Sequence, residues 1–322
     1  MSLRMLLMLV FATFQIDGAM SQTYPERPIK IIVGFTASPP DTIARLIGQQ
    51  LSTQMGQPFV IENRTGANGI IGADAVAKAA PDGYTLLVTS ASYAVNPSIT
   101  KKLPFDPIED LIPIANIAQN DGLILVVTPS LPVQTVQELI SYSKRPDVKL
   151  SYASPGVGNT LHLAGALFNQ IADLRAVHVT YRGAAPAITD LMAGQVQFMF
   201  LPPPAAAEYI SQGKLKALAY TDKNRLTAFP NVPTMSEAGL EKFDFGEAGW
   251  YGLFAPAKTP PAIIEQLSRE TQAAVKSAAI QQRFAALGFE PVGDRPAAFQ
   301  KTLNGSIARF SGIVRLIGLE PQ

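Results

Sequence analysis

The residues of this chain that could do chemistry gather in one run, Ser154-Pro-Gly-Val-Gly-Asn-Thr-Leu-His-Leu163. A serine and a histidine stand eight positions apart in it, and the chain's other histidine is His178. A hydrolytic triad of Ser154, His162 and an acid such as Asp41 would need its nucleophile on a strained turn of the G-x-S-x-G kind. Ser154 precedes Pro155 instead, and eight residues across a turn give no reason for a nucleophile to meet its base, so no catalysis is expected. Gly156-Val-Gly158 lacks the third glycine and the following acidic residue of a dinucleotide fingerprint. P-loop, H-E-x-x-H and EF-hand patterns are missing from the chain. Two isolated histidines and no cysteine leave no expected metal site and no expected cofactor.

What the run does offer is binding. It follows Leu150–Ala153, an apolar stretch that reads as a buried strand, and leads into a helical pattern with Leu161, Ala164, Leu167 and Phe168 on one stripe. The spacing predicts a strand, a glycine turn and a helix start capped by Asn159 or Thr160. Such a turn aims unpaired backbone N–H groups and the positive end of a helix dipole at one point. An anion suits that point, most simply a carboxylate.

The elements around it alternate. Ile29–Phe35, Phe59–Glu62, Thr85–Thr89, Leu123–Thr128, Leu150–Ala153, Val177–Tyr181, Val196–Leu201 and Leu215–Tyr220 read as strands, with helical periodicities between many of them. Alternation of this kind implies an α/β protein with parallel sheets covered on both faces. Toward the C-terminus, one helix is expected over about Pro261–Ala274. Another has Phe299, Leu303, Ile307, Phe310 and Val314 on one face.

Composition narrows the classes further. At 322 residues, 47% hydrophobic and 16% charged, the chain can bury a large core, and disorder is excluded as its ordinary state. A net charge of +1 without a dense Lys/Arg cluster excludes nucleic acid as a partner. Residues 1–21 read as an export signal: Arg4, an apolar run from Met5 to Phe14, and Ala19-Met-Ser21 as the cleavage site. The apolar run has about half of the ~20 residues that span a bilayer. The mature protein is therefore expected to be exported to the periplasm, where a cysteine-free chain needs no disulfides.

A set of short segments carries a resemblance along nearly the whole mature chain. They are Tyr24-Pro-Glu-Arg-Pro-Ile-Lys30, Glu62-Asn-Arg-Thr-Gly-Ala-Asn-Gly-Ile-Ile-Gly72, Pro81-Asp-Gly-Tyr-Thr85, Asn96-Pro-Ser98 with Leu103-Pro-Phe-Asp-Pro107, and Tyr181-Arg-Gly-Ala-Ala-Pro186. Asp190-Leu-Met-Ala-Gly-Gln195, Val232-Pro-Thr-Met-Ser-Glu-Ala-Gly239 and Trp250-Tyr-Gly-Leu-Phe-Ala-Pro256 complete them. With the run at Ser154, they resemble the substrate-binding receptors of tripartite tricarboxylate transporters, the Bug proteins. The resemblance implies a two-lobed type II periplasmic-binding-protein fold with a central ligand cleft and two crossover segments, near Gln119–Gly122 and Phe245–Trp250. Lobe one would take residues 22–120 plus 250–322, and lobe two 121–249. It also implies a monomeric solute-binding receptor for a small organic ligand, with membrane transporter subunits, or alternatively a sensor kinase ectodomain, as partner. A hydrolase on the same lobes is the competing class.

By that resemblance two loops, one per lobe, pinch a ligand carboxylate. The lobe-two loop supplies Ser154, Gly156, Gly158, Asn159 and Thr160. The lobe-one loop should read F-x-x-G-G-x-x-D, but here it is Phe35-Thr-Ala-Ser-Pro-Pro-Asp41, one residue shorter and without either glycine. The site candidates there are Phe35, Thr36, Ala37, Ser38 and the helix-capping Asp41. Pro39 and Pro40 have no N–H to offer, and two lost donors at about 1.5–3 kcal/mol each would weaken a carboxylate about a hundredfold or more. Three readings stay open: the Thr36 and Ser38 hydroxyls replace the amides, the ligand is less acidic or neutral, or the site is degraded. Ser90 and Ser92, Tyr181 and Pro202 follow strand ends, where ligands of open α/β sheets bind. Arg182 reads as a solvated loop arginine, and Trp250 as crossover packing.

Overall fold

A computed structural model describes residues 24–36, 38–120, 122–245 and 249–321. The expected export signal and Ala37 lie outside the described residues. Among the described residues eleven strands follow one another as β1 (Ile29–Val33), β2 (Phe59–Asn63), β3 (Thr85–Ser90), β4 (Leu111–Asn120), β5 (Ile124–Val127), β6 (Ser151–Ser154), β7 (Val177–Thr180), β8 (Phe198–Leu201), β9 (Lys216–Tyr220), β10 (Gly249–Pro256) and β11 (Glu290–Pro291). The helices are α1 (Pro39–Met55), α2 (Ile70–Ala77), α3 (Asn96–Ile99), α4 (Val136–Ser143), α5 (Thr160–Ile171), α6 (Ala184–Met192), α7 (Pro203–Ser211), α8 (Pro261–Lys276), α9 (Ala278–Leu287) and α10 (Pro296–Leu316). No helix of the described residues is long and apolar enough to cross a membrane.

The strands form two sheets, in the orders β11-β4-β10-β3-β1-β2 and β7-β6-β8-β5-β9. Apolar runs that are buried on both faces become their centres: β1 and β3 in the first, β5 and β8 in the second. Helix α1 shows how the covering layer forms. Ile43, Ile47 and Leu51 recur on its inner face and are fully buried, each contributing about 1.5–3 kcal/mol. Gly56, in the left-handed region at φ 70°, then stops it.

The sheets are mixed, which departs from the parallel arrangement expected of strand–helix alternation. Strands β1, β2 and β3 run parallel, but β10 lies antiparallel between β3 and β4. In the second sheet β5 is antiparallel to both β8 and β9. The odd strands sit where the chain changes sheet. It leaves the first sheet at Asn120 and enters the second at Ile124, then returns between Tyr220 and Gly249. Outgoing and returning segments are stitched together: Leu123 N donates to Thr221 Oγ1 at 2.8 Å, and Thr221 N to Leu123 O at 2.9 Å. Tyr251 OH donates to Asn120 Oδ1 at 2.8 Å, and a Cβ on Gly249 would overlap the Asn120 side chain. The missing side chain at Gly249 thus leaves room for the Asn120 side chain where the lobes join.

One hydrophobic cluster runs from the first sheet into the second. Helix α10 bridges it. Phe310 packs on Phe245, while Trp250 sets its ring edge-on to Phe299 at 5.1 Å and donates from Nε1 to Ser306 Oγ at 3.0 Å. The lone tryptophan therefore serves crossover packing.

Candidate functional site

Between the two sheets lies a cavity of about 810 Å³, inside the roughly 300–1,000 Å³ range of small-molecule sites. Its walls come from loops that follow strand ends in both lobes. Lobe one contributes Phe35, Thr36, Ser38, Pro39 and Pro40 after β1, the stretch 65–70 after β2, Ser90 at the end of β3 and Ser92 just beyond it. Lobe two contributes Gly156, Val157, Asn159 and Thr160 after β6, Tyr181 and Arg182 after β7, Leu201 at the end of β8 and Pro202 just beyond it. Of the sequence candidates, Phe35, Thr36, Ser38, Ser92, Gly156, Asn159, Thr160, Tyr181 and Pro202 line it, whereas Asp41, Ser154 and Gly158 stand behind the wall.

The lobe-two loop is built from β6 into α5. Asn159 caps the helix, its Oδ1 accepting from Leu161 N at 2.9 Å. Gly158 holds φ at 77°, and a Cβ there would overlap the Ile99 side chain across the cleft. The amides expected to be unpaired mostly have partners. Gly158 N donates to His162 Nδ1 at 3.1 Å, Asn159 N to Gly156 O at 3.3 Å, and Thr160 N to Ser92 Oγ at 3.3 Å. Buried N–H groups find acceptors, and here other loop atoms and the opposite lobe supply them. Ser92 Oγ accepts from Asn159 Nδ2 as well, at 3.2 Å, so two lobe-two donors converge on one lobe-one oxygen.

A second bridge crosses the cleft nearby. Asn68 Nδ2 donates to Gly158 O at 3.1 Å and to Asn96 Oδ1 at 2.9 Å. Asn68 sits in the tightest backbone of the site, since Ala67, Asn68 and Gly69 all hold positive φ, at 46°, 52° and 83°. Sequence reasoning missed this turn as a wall of the site. The signal was present in Gly66-Ala-Asn-Gly69, where Asn and Gly are the residues that tolerate left-handed backbone.

The lobe-one loop differs from expectation in one respect. Asp41 is not the helix cap. Helix α1 begins at Pro39 with Ser38 as N-cap, and Asp41 lies in its first turn. Prolines suit those two positions because their missing N–H groups would be orphans anyway. The Asp41 carboxylate instead ties the loop down: Arg45 donates to it from Nε and Nη2, both at 3.1 Å, and Asn63 Nδ2 donates to it at 2.7 Å and to Phe35 O at 2.9 Å. Ser38 Oγ is buried without a hydrogen-bond partner.

Beneath the lobe-two loop, fully buried Ser154 places its Oγ 2.8 Å from His178 Nε2 and 3.1 Å from Gly156 O. Its neighbour is thus His178 rather than His162. The two imidazoles stack at 4.0 Å, and Tyr152 stacks on His178 at 4.9 Å. Burial pushes His162 down to about 3, with the His178 ring adding to it, and burial pushes His178 down to about 4. Among the described residues no carboxylate hydrogen-bonds either ring, and a serine with no exposed surface reaches no substrate. The cluster is a neutral prop for the loop.

That prop carries a pH signature. In the unfolded chain both imidazoles take a proton near their ordinary value of 6.5, while the folded ones refuse it until about 4 and about 3. Their contribution to stability is complete above pH 6.5 and is lost progressively as pH falls toward those values. Melting temperature measured between pH 6.5 and 4 should fall less steeply in H162Q and H178Q than in the unsubstituted protein. Equal slopes would contradict the assignment.

Around the cavity the polarity is uneven. Tyr181 OH donates to Asp190 Oδ2 at 2.8 Å, and burial chiefly, with Asp190, pushes the phenol up to about 12. Arg182 and Glu320, both exposed, are the charged residues among the described lining. Phe35, Ile70, Ile99, Leu123, Val157, Leu161, Leu201 and Leu319 make most of the remaining wall apolar.

The chain is similar to known proteins along most of its length. Residues 43–319 match the model of the tripartite tricarboxylate transporter family receptor. Protein BugT of Bordetella pertussis is 38% identical over 304 residues, covering 92% of this chain and 91% of the relative. An R. palustris protein solved with adipate superposes with a TM-score of 0.86 at 32% identity, over 93% of this chain and all of the other. MatC from Rhodopseudomonas palustris, solved with bound malate, does so with a TM-score of 0.81 at 32% identity, over 90% of this chain and all of the other.

Proposed function

Since the chain belongs to the tripartite tricarboxylate transporter receptor family, we propose that it captures a small carboxylate in the interlobe cleft and delivers it to a membrane transporter. It is a solute-binding receptor and not an enzyme, as the family is. The observation that carries the carboxylate reading is the convergence of Thr160 N and Asn159 Nδ2 on a single oxygen, Ser92 Oγ. A carboxylate oxygen accepts from the same two donors, and does so more strongly for being charged. The N-terminus of α5 adds a favourable dipole. Binding of adipate and malate by similar proteins supports the reading. The pattern of residues 1–21 supports export to the periplasm as the setting.

The test is a thermal-shift screen of the mature protein against carboxylates and their neutral amides. A ligand present at a hundred times its Kd adds about 2.7 kcal/mol, which moves the melting temperature by a few degrees. Carboxylates are expected to stabilise where diamides do not. Stabilisation by diamides alone would overturn the carboxylate reading, and a flat response to every acid would overturn the receptor role in this form.

A further inference from the structure

We propose that this cavity selects a monocarboxylate with an uncharged, mainly apolar body and discriminates against dicarboxylates. The inference rests on the carboxylate reading above and adds what the rest of the ligand must be. Anion-binding capacity is concentrated at one place, the Asn159–Thr160 end of the lobe-two loop. The facing loop of lobe one has been stripped of it. Pro39 and Pro40 occupy the first two positions of α1, so two amides that a helix N-terminus would otherwise present do not exist. Thr42 N is already used by Ser38 O at 3.0 Å. The positive end of that helix is occupied too, because Asp41 sits in its first turn and holds a negative charge there.

What the described residues of that loop keep is neutral, the hydroxyls of Thr36 and Ser38, the latter buried and without a partner. A hydroxyl of this kind suits an amide, ester or alcohol, or can be left against an apolar end. No net positive charge makes up the difference, because the charged residues of the described lining are one of each sign, Arg182 and Glu320, both exposed. A second carboxylate would therefore shed its water against apolar side chains in a wall without net positive charge. An uncharged body meets no such cost, and a cavity of about 810 Å³ has room for one.

Calorimetric titration of the mature full-length protein with three acids of one length tests this: adipate, adipic acid monoamide and hexanoate. The monoamide or hexanoate should bind at least tenfold more tightly than adipate. P39G restores one amide to the loop and should narrow that ratio severalfold, with E320Q narrowing it further. Adipate binding as tightly as either monoacid would overturn the inference while leaving the carboxylate reading in place. An unchanged ratio in both variants would overturn the assignment of selectivity to this wall. If none of the three binds and adipamide does, the carboxylate reading fails and the inference fails with it.

Discussion

Replacing Asn159 by Asp should leave the protein folded and lower its affinity for a carboxylate by at least a hundredfold. The change is nearly isosteric and separates the two jobs of the side chain. As a helix cap, Asp serves about as well as Asn, and its charge is welcome at a helix N-terminus. The bond from Leu161 N at 2.9 Å therefore survives. As a donor, Asn159 Nδ2 disappears, and with it the bond now made to Ser92 Oγ at 3.2 Å. A donor to a charged ligand is worth about 1.5–3 kcal/mol. Placing two negative charges about 4 Å apart adds repulsion of up to about 4 kcal/mol at an effective dielectric near 20. Ala at the same position would cost about 1 kcal/mol of stability through the lost cap but would reduce affinity less, since it repels nothing. Titration calorimetry and thermal melts of both variants separate these effects. Unaltered carboxylate affinity in N159D would show that the donor pair at this loop does not hold the ligand.

The second large effect is structural. Gly158→Ala should destabilise the protein by about 2–5 kcal/mol, from two independent causes. At φ 77° an alanine is strained, by about 1–2 kcal/mol. Its Cβ would also overlap the Ile99 methyl from the opposite lobe, and overpacking of this sort costs typically ~1–3 kcal/mol. I99A on the G158A background should recover the steric part and leave the conformational part. Denaturant melts of the two singles and the double then give a coupling energy between lobes. Purely additive single effects would mean that the lobes do not press on each other at this point.

The two effects differ in how plainly the sequence announces them. Loop types were legible because glycine, proline and capping residues act locally. Gly156 to Thr160 reads as a strand-to-helix turn, and the structure has it as one. Strands with unbroken apolar runs, such as Ile29–Val33 and Phe198–Leu201, were legible for the same reason. Strands β4 and β10 were not read as strands. Pro113, Asn116, Gln119 and Asn120 fall in β4, and Gly249, Gly252 and Pro256 in β10, so both resemble loops. Tertiary pairing overrides that local signal: β10 fills the gap between β3 and β4, and a register shift lies between Leu253 and Phe254, where Pro113 pairs.

The partners of the site's polar groups were the hardest to foresee. Sequence proximity pairs Ser154 with His162, whereas the sheet sets β6 beside β7, with Tyr152 level with His178, and so delivers His178 to the serine. Ser92 was placed at a strand end, but nothing local told that its hydroxyl would collect two donors from 67 and 68 residues away. Asp41 looked like a cap because Ser38-Pro-Pro-Asp41 does not show where the helix begins. Two prolines at the start of a helix are allowed, and the structure uses that freedom.

A crystal structure of the protein with the carboxylate that stabilises it most would test the account most directly. A carboxylate oxygen should lie at about 3 Å from both Thr160 N and Asn159 Nδ2, taking the acceptor role that Ser92 Oγ has here, with the rest of the ligand along the apolar wall. A carboxylate seated on Arg182 or on the lobe-one loop instead, with the two donors still bonded to Ser92, would contradict it.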